Sequence, residues 1–304
     1  MKRVKIGQLN FPGQHGKYIF LDLINDLNNI SEDIIYEYEN CLTNECDIVF
    51  YSIYGKLEEV NNVIGKPLLI YWTYEYLCPG PNQIFNDPFN FYKNNNLSIS
   101  FYDDTDNNLF FPYFVLSIKN MIDIQGKNKK QIDLKNKFCT FCALNQSYYN
   151  ANFRTELVKY ISKNYKEITC CGKVLNNTNG EYLPYDLYEA SVYHNNYKFN
   201  LCFENNESDG NLTYLTEKIV MAYLYNTVPI YWGAKRVTEW FNPESFINCN
   251  GLTYEEILNK IKEIDNDKEK YQYMLNQQPM IEDSYMIYLS FIKKLNKFIS
   301  DNLN

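Results

Sequence analysis

The feature that most constrains this chain is a repeated alternation of short apolar runs with stretches of helical spacing. The runs read as strands at Val4–Leu9, Asp47–Tyr51, Leu68–Trp72, Leu97–Phe101, Phe138–Leu144, Glu167–Gly172, Lys198–Phe203, Val228–Trp232 and Ser245–Cys249. Between them, segments such as Tyr18–Leu27, Phe153–Asn164, Glu217–Asn226 and Tyr254–Ile264 repeat their apolar residues every three or four positions. Nearly continuous apolar strands separated by helices are buried on both faces, which is the habit of parallel, doubly wound sheets. A chain of 304 residues exceeds one small core and suits two such units. The polar stretch around Gly126-Lys-Asn-Lys-Lys interrupts the pattern. It divides the chain into residues 1–125 and 126–284, with 285–304 as a last helix, amphipathic enough to pack at the domain junction.

Charge narrows the partners. The net charge of -8 argues against a nucleic-acid partner, because phosphate backbones need a basic face. A local anion site is still open, since a helix N-terminus with two or three cations suffices. Arg3, Arg154 and Arg236 are the only arginines in a chain rich in Asn, Lys, Ile and Tyr, as from an A/T-rich genome. Arginines kept under that bias point to places needing a planar, bidentate donor, which makes Arg154 and Arg236 candidates. No apolar run approaches the roughly 20 residues of a transmembrane helix. The N-terminus enters a strand pattern without a signal-peptide core, so a soluble, cytoplasmic protein with free thiols is expected. Cys139 and Cys142 have zinc-like spacing, but on a strand they face opposite ways and cannot grip one metal.

The most informative stretch runs from Tyr197 to Ile219. It reads as a buried strand, a polar loop with Gly210, and a helix N-capped by Thr216 with Glu217 in its first turn. Lys218 beside them is out of place, because a cation at a helix N-terminus opposes the dipole unless an anion binds there. A diphosphate held by Lys218 and the first-turn N–H groups resolves the conflict, with Glu217 placed to accept ribose hydroxyls. An ordinary surface Glu–Lys pair is the competing reading.

Tyr197-Lys-Phe-Asn-Leu-Cys-Phe-Glu-Asn, then Tyr214-Leu-Thr-Glu-Lys-Ile, Val228-Pro-Ile-Tyr-Trp-Gly and Phe241-Asn-Pro-Glu-Ser-Phe-Ile-Asn, resembles the signature of the family 10 α1,3/1,4-fucosyltransferases. The resemblance is dense from Tyr197 to Asn248 and weaker upstream. It implies a GT-B fold, two Rossmann-like doubly wound domains facing a cleft, with GDP-fucose on the C-terminal half and a glycan acceptor on the N-terminal half. It implies inverting transfer of L-fucose to a hydroxyl, the 3-hydroxyl of N-acetylglucosamine or glucose by family habit. Lys218 and Arg154 resemble the family's diphosphate-binding cations and Glu217 its ribose-binding carboxylate. Asn205, Tyr214 and Thr216 fall among its donor contacts. The loop between Asn205 and Tyr214 is longer than in the bacterial members, which leaves another nucleotide sugar open as donor.

An inverting transfer needs a carboxylate to take the acceptor proton. Glu75, after the strand Leu68–Trp72 and among aromatic residues, resembles the family's catalytic glutamate, although Tyr74 replaces the usual small neighbour. His15, Trp72 and Tyr76 are the candidate acceptor contacts. No cofactor is required, because Lys218 and Arg154 neutralise the leaving group. Asp104-Thr-Asp106 has the spacing of a divalent-metal motif, and such a metal is not expected to be essential. A non-catalytic glycan- or nucleotide-binding protein on the same scaffold is the reading from another class.

Overall fold

The computed structural model describes residues 1–11, 13–52, 57–60, 62–73, 97–124, 135–144, 151–181 and 187–303. These fall into two compact units, Met1–Pro112 with Ile287–Asn304, and Tyr113–Met286. The sequence reading cuts instead at 125/126 and 284/285.

In the first unit, strands β1 (Lys2–Leu9), β2 (Ile34–Tyr38), β3 (Ile48–Tyr51), β4 (Leu68–Trp72), β5 (Leu97–Ser100) and β6 (Asn108–Phe110) form one sheet in the order β2-β1-β3-β4-β5-β6. Every pairing is parallel, as the buried apolar runs require. The sequence reading misses β2 and β6, and both are edge strands. All residues of β2 but Tyr36 are partly exposed and Glu37 breaks its apolar run, while β6 is three residues long. Helix α1 (Gly13–Ile30) begins five residues before the expected Tyr18.

Trp72 is 3% exposed and meets Phe20, Phe50 and Phe111 edge-on at 5.5–5.6 Å between ring centres. This corrects its assignment as an acceptor contact: the ring is part of the core and presents no free face to a sugar. The last helix, α9 (Ser284–Asn302), belongs mainly with this unit. Its Phe291 packs on Phe110 and Phe111, and the Tyr36 hydroxyl donates to Asn296 at 2.8 Å. Ile292, Leu295 and Ile299 are fully buried, each contributing roughly 1.5–3 kcal/mol.

The second unit holds β7 (Lys137–Phe141), β8 (Thr169–Cys170), β9 (Tyr197–Ser208), β10 (Val228–Ala234) and β11 (Ile247–Asn248) in the order β11-β10-β9-β7-β8, again all parallel. Helices α4 (Ala151–Asn164) and α7 (Tyr254–Asn266) cover one face, setting Leu157, Ile161, Ile257 and Ile261 against Phe199, Leu201, Val228 and Ile230. Thr253 and Glu256 form a reciprocal capping box that fixes where α7 starts. Helix α6 (Lys218–Leu224) packs on β9 and β10 from the other side. Among the described residues no helix is long and apolar enough to cross a membrane.

Candidate functional site

The central strand β9 outruns its sequence prediction by five residues. It stays paired as far as Ser208, opposite Ala234, across a register shift between Trp232 and Ala234. The cause lies at Glu204, where the apolar run Phe199–Phe203 ends in a carboxylate that is completely buried. A buried charge survives only if it is paired and hydrogen-bonded, and Glu204 is both. It accepts the Thr216 N–H and hydroxyl at 2.7 Å each and the Lys218 ammonium at 3.1 Å. Room for it comes from β10. A Cβ on Gly233 would stand 2.4 Å from Glu204 Cγ, so only glycine fits there.

The segment from Asp209 to Thr216 is closed at both ends by these contacts. The Ser208 hydroxyl accepts the Tyr214 N–H at 2.8 Å, and Glu204 accepts that of Thr216. Between them the chain turns at Gly210, whose φ of 64° is left-handed. Much of the length expected as an extended loop is thus strand and turn.

Thr216 is not the N-cap. That position belongs to Glu217, with helical φ and ψ and no side-chain cap, and the Thr216 hydroxyl serves Glu204 instead. Lys218 opens α6, and the conflict with the helix dipole is answered from inside the protein by the Glu204 carboxylate. Burial opposes the Lys218 charge, but Glu204 and Glu217 outweigh it and hold the ammonium well above its ordinary value. Burial in turn pushes the Glu204 carboxyl up, against the pull of Lys218. The Lys218 side chain keeps 26% of its surface exposed, and its ammonium also lies 3.7 Å from Glu217 Oε1.

A second chain of contacts starts on α4. Arg154, 4% exposed, donates from Nη1 to Asn205 Oδ1 at 3.0 Å, and Asn205 Nδ2 lies 3.3 Å from the Tyr214 hydroxyl. Arg154, Asn205, Tyr214, Thr216, Glu217 and Lys218, distant in sequence, therefore gather at the carboxyl end of β9. That is the end where open parallel sheets bind ligands. Two fixed cations beside backbone N–H groups suit a polyanion such as a diphosphate.

Other candidates fall elsewhere. Arg236 is tied to Glu239 by two bonds of 2.7 and 3.0 Å, one turn along a 3-10 helix. Asp104 accepts the Phe110 N–H at 2.7 Å and pairs with Lys294 at 3.3 Å, bracing a turn. Among the described residues no group of three or more His, Cys, Asp or Glu side chains could hold a metal ion. Cys139 is buried in β7 and Cys142, one residue past the end of that strand, is exposed; both are free thiols. Glu75 and Tyr76 lie outside the described residues. His15 falls within α1, its side chain outside them.

Glu204 is the residue that sequence reasoning missed. Its signal was legible: a carboxylate inside an apolar run demands a buried partner.

Two parallel α/β units, the second carrying a cationic cluster at its strand ends, define the chain as a protein of GT-B glycosyltransferase architecture. A solved α1,3-fucosyltransferase has the same fold, with a TM-score of 0.71 over 99% of this chain and 90% of that one, at 24% identity. The same holds for an α1,3-fucosyltransferase solved with GDP-fucose, at a TM-score of 0.69 over 100% and 91%, also 24% identical. Residues 132–280 match the family described as glycosyltransferase family 10 (fucosyltransferase) C-term. Over 154 residues the chain is 36% identical to the α-(1,3)-fucosyltransferase FucT of Helicobacter pylori, which is 50% of this chain and 30% of that protein. The chain is homologous to the family 10 fucosyltransferases through this half, and it spans less than a third of the length of the curated relative.

Proposed function

We propose that the protein transfers L-fucose from GDP-β-L-fucose to a hydroxyl of a glycan acceptor, with inversion at the anomeric carbon. The observation that carries this reading is the convergence of Lys218, Arg154, Asn205 and Tyr214 at the carboxyl end of β9, inside the segment that matches the family. In this reading the second unit binds the donor, with Lys218 and Arg154 on the diphosphate and Glu217 on the ribose. The first unit binds the acceptor, and its base is Glu75. As the acceptor oxygen attacks the anomeric carbon, Glu75 takes its proton and the bond to the diphosphate breaks. GDP leaves with an added negative charge, stabilised by the two cations already in place. Such neutralisation requires no metal. The 3-hydroxyl of an N-acetylglucosamine- or glucose-containing glycan is the acceptor we assign.

The test is incubation of the purified protein with GDP-fucose, other GDP-sugars and UDP-sugars across a small glycan array, with products read by mass spectrometry. Transfer of a deoxyhexose from GDP-fucose is expected. Transfer only from another donor reassigns the sugar. Saturable binding with neither transfer nor donor hydrolysis makes the protein a binding module.

A further inference from the structure

Glu204 has no part in the reaction as described, yet the cation of the site is built around it. Every donor reaching its carboxylate comes from the segment after the Gly210 turn: the Thr216 N–H, the Thr216 hydroxyl and the Lys218 ammonium. An ammonium has three N–H donors. Two of those of Lys218 point to Glu204 at 3.1 Å and to the Thr216 hydroxyl at 2.9 Å. Glu217 Oε1 lies 3.7 Å from the same ammonium, beyond hydrogen-bond distance. Behind the carboxylate β10 offers a glycine, because any side chain at Gly233 would occupy its place. Strand, turn, helix start and neighbouring strand thus combine to hold one buried carboxylate against one partly exposed lysine.

We infer that Glu204 is a positioning residue for the nucleotide diphosphate: it fixes Lys218 in place and keeps it charged, without touching the ligand itself. This rests on the donor reading above. The groups facing Lys218 are Glu204 and Cys202 from β9, Tyr214 from the connecting segment and Glu217 beside it. Burial works against the ammonium, and Glu204 is the largest influence opposing it. Without that carboxylate, Lys218 is free to swing away and gives up its proton at lower pH.

The experiment titrates GDP into the full chain by calorimetry, at about pH 7 and about pH 9, for wild type, Glu204→Gln, Lys218→Met and the double variant. Each is compared with wild type at the same pH, after thermal unfolding has shown that it is folded. Lys218→Met is expected to bind GDP about 10- to 100-fold more weakly. Glu204→Gln is expected to lose about 10-fold at the lower pH and more at the higher, whereas a purely structural role leaves the pH profile unchanged. In the Lys218→Met background, Glu204→Gln should change affinity less than about two-fold, because its effect runs through Lys218. Should Glu204→Gln alone fail to fold, the double variant still decides, since it removes both charges together. Glu204→Gln binding as wild type does at both pH values, or adding its full loss to that of Lys218→Met, overturns this inference alone. Wild type taking up no GDP, or Lys218→Met binding as well as wild type, overturns the donor reading and this inference with it.

Discussion

Strand β9 carries a lysine–carboxylate cluster at each end, and the two are built differently. At its amino end Lys198 reaches Asp265 at 2.6 Å, and the same carboxylate takes Lys166 at 2.5 Å and the Tyr165 hydroxyl at 2.8 Å. The lysines also lie over aromatic rings, Lys198 over Tyr271 and Lys166 over Tyr165. Each charge there is answered by several neighbours, which makes a brace joining β9, α7 and the end of α4. At the carboxyl end, roughly 20 Å along the strand, Glu204 holds one lysine, whose side chain is partly exposed. Burial is the largest influence on both carboxyls. At Asp265 the two lysines and Tyr165 overcome it and pull the pKa down, whereas Glu204 stays raised. A carboxylate shared by two lysines braces the elements that carry them; one that holds a single lysine can position that cation for a ligand.

The largest effect that separates the two is on stability. Asp265→Ala leaves two lysines without their shared counterion and should lower unfolding free energy by about 2–3 kcal/mol, the half-exposed lysines softening the loss. Urea unfolding measures it, and GDP affinity of the folded variant should stay within about two-fold of wild type. A large loss of GDP affinity would mean that the two ends are not separate devices.

Next in size is Arg154→Ala, which removes the second cation and the support of Asn205. GDP should bind about 10-fold more weakly, and Arg154→Lys should not restore it fully, because lysine lacks the planar fork. Full rescue by lysine would reduce the role of Arg154 to charge alone.

Acid provides a third separation. Burial, then the Lys135 ammonium, pushes His194 down to about 3. The unfolded chain therefore binds a proton near pH 6.5 that the folded chain refuses, and stability falls from there downward. Asp265, with its pKa lowered, adds a second loss once pH drops below the unfolded value of about 3.9 and through the folded one. Stability against pH in His194→Gln should lose the first decline and keep the second.

The smallest effect should come from Tyr214→Phe, which removes one hydroxyl next to Asn205. About two- to five-fold in GDP affinity is expected.

The second unit was the more legible in sequence. Its central strands are continuous apolar runs, and Lys218 stood out as a cation where the helix dipole disfavours one. That clue pointed to Lys218, whose nearest anion in the fold is the internal Glu204 carboxylate. The sequence could not show that Thr216 turns its hydroxyl to Glu204, because cap and strand-end partners compete for the same short side chain. In the first unit the edge strands β2 and β6 escaped notice because half-exposed or three-residue strands lack a periodic signal. Trp72 was misread because strand alternation does not tell which covered face a ring enters once both faces are buried.

The most direct test of the central claim is a crystal structure of the full chain soaked with GDP. The account predicts a diphosphate within hydrogen-bond distance of Lys218 and Arg154 at the carboxyl end of β9, with Glu204 still beneath Lys218. A nucleotide bound elsewhere, with that cluster empty, would contradict it.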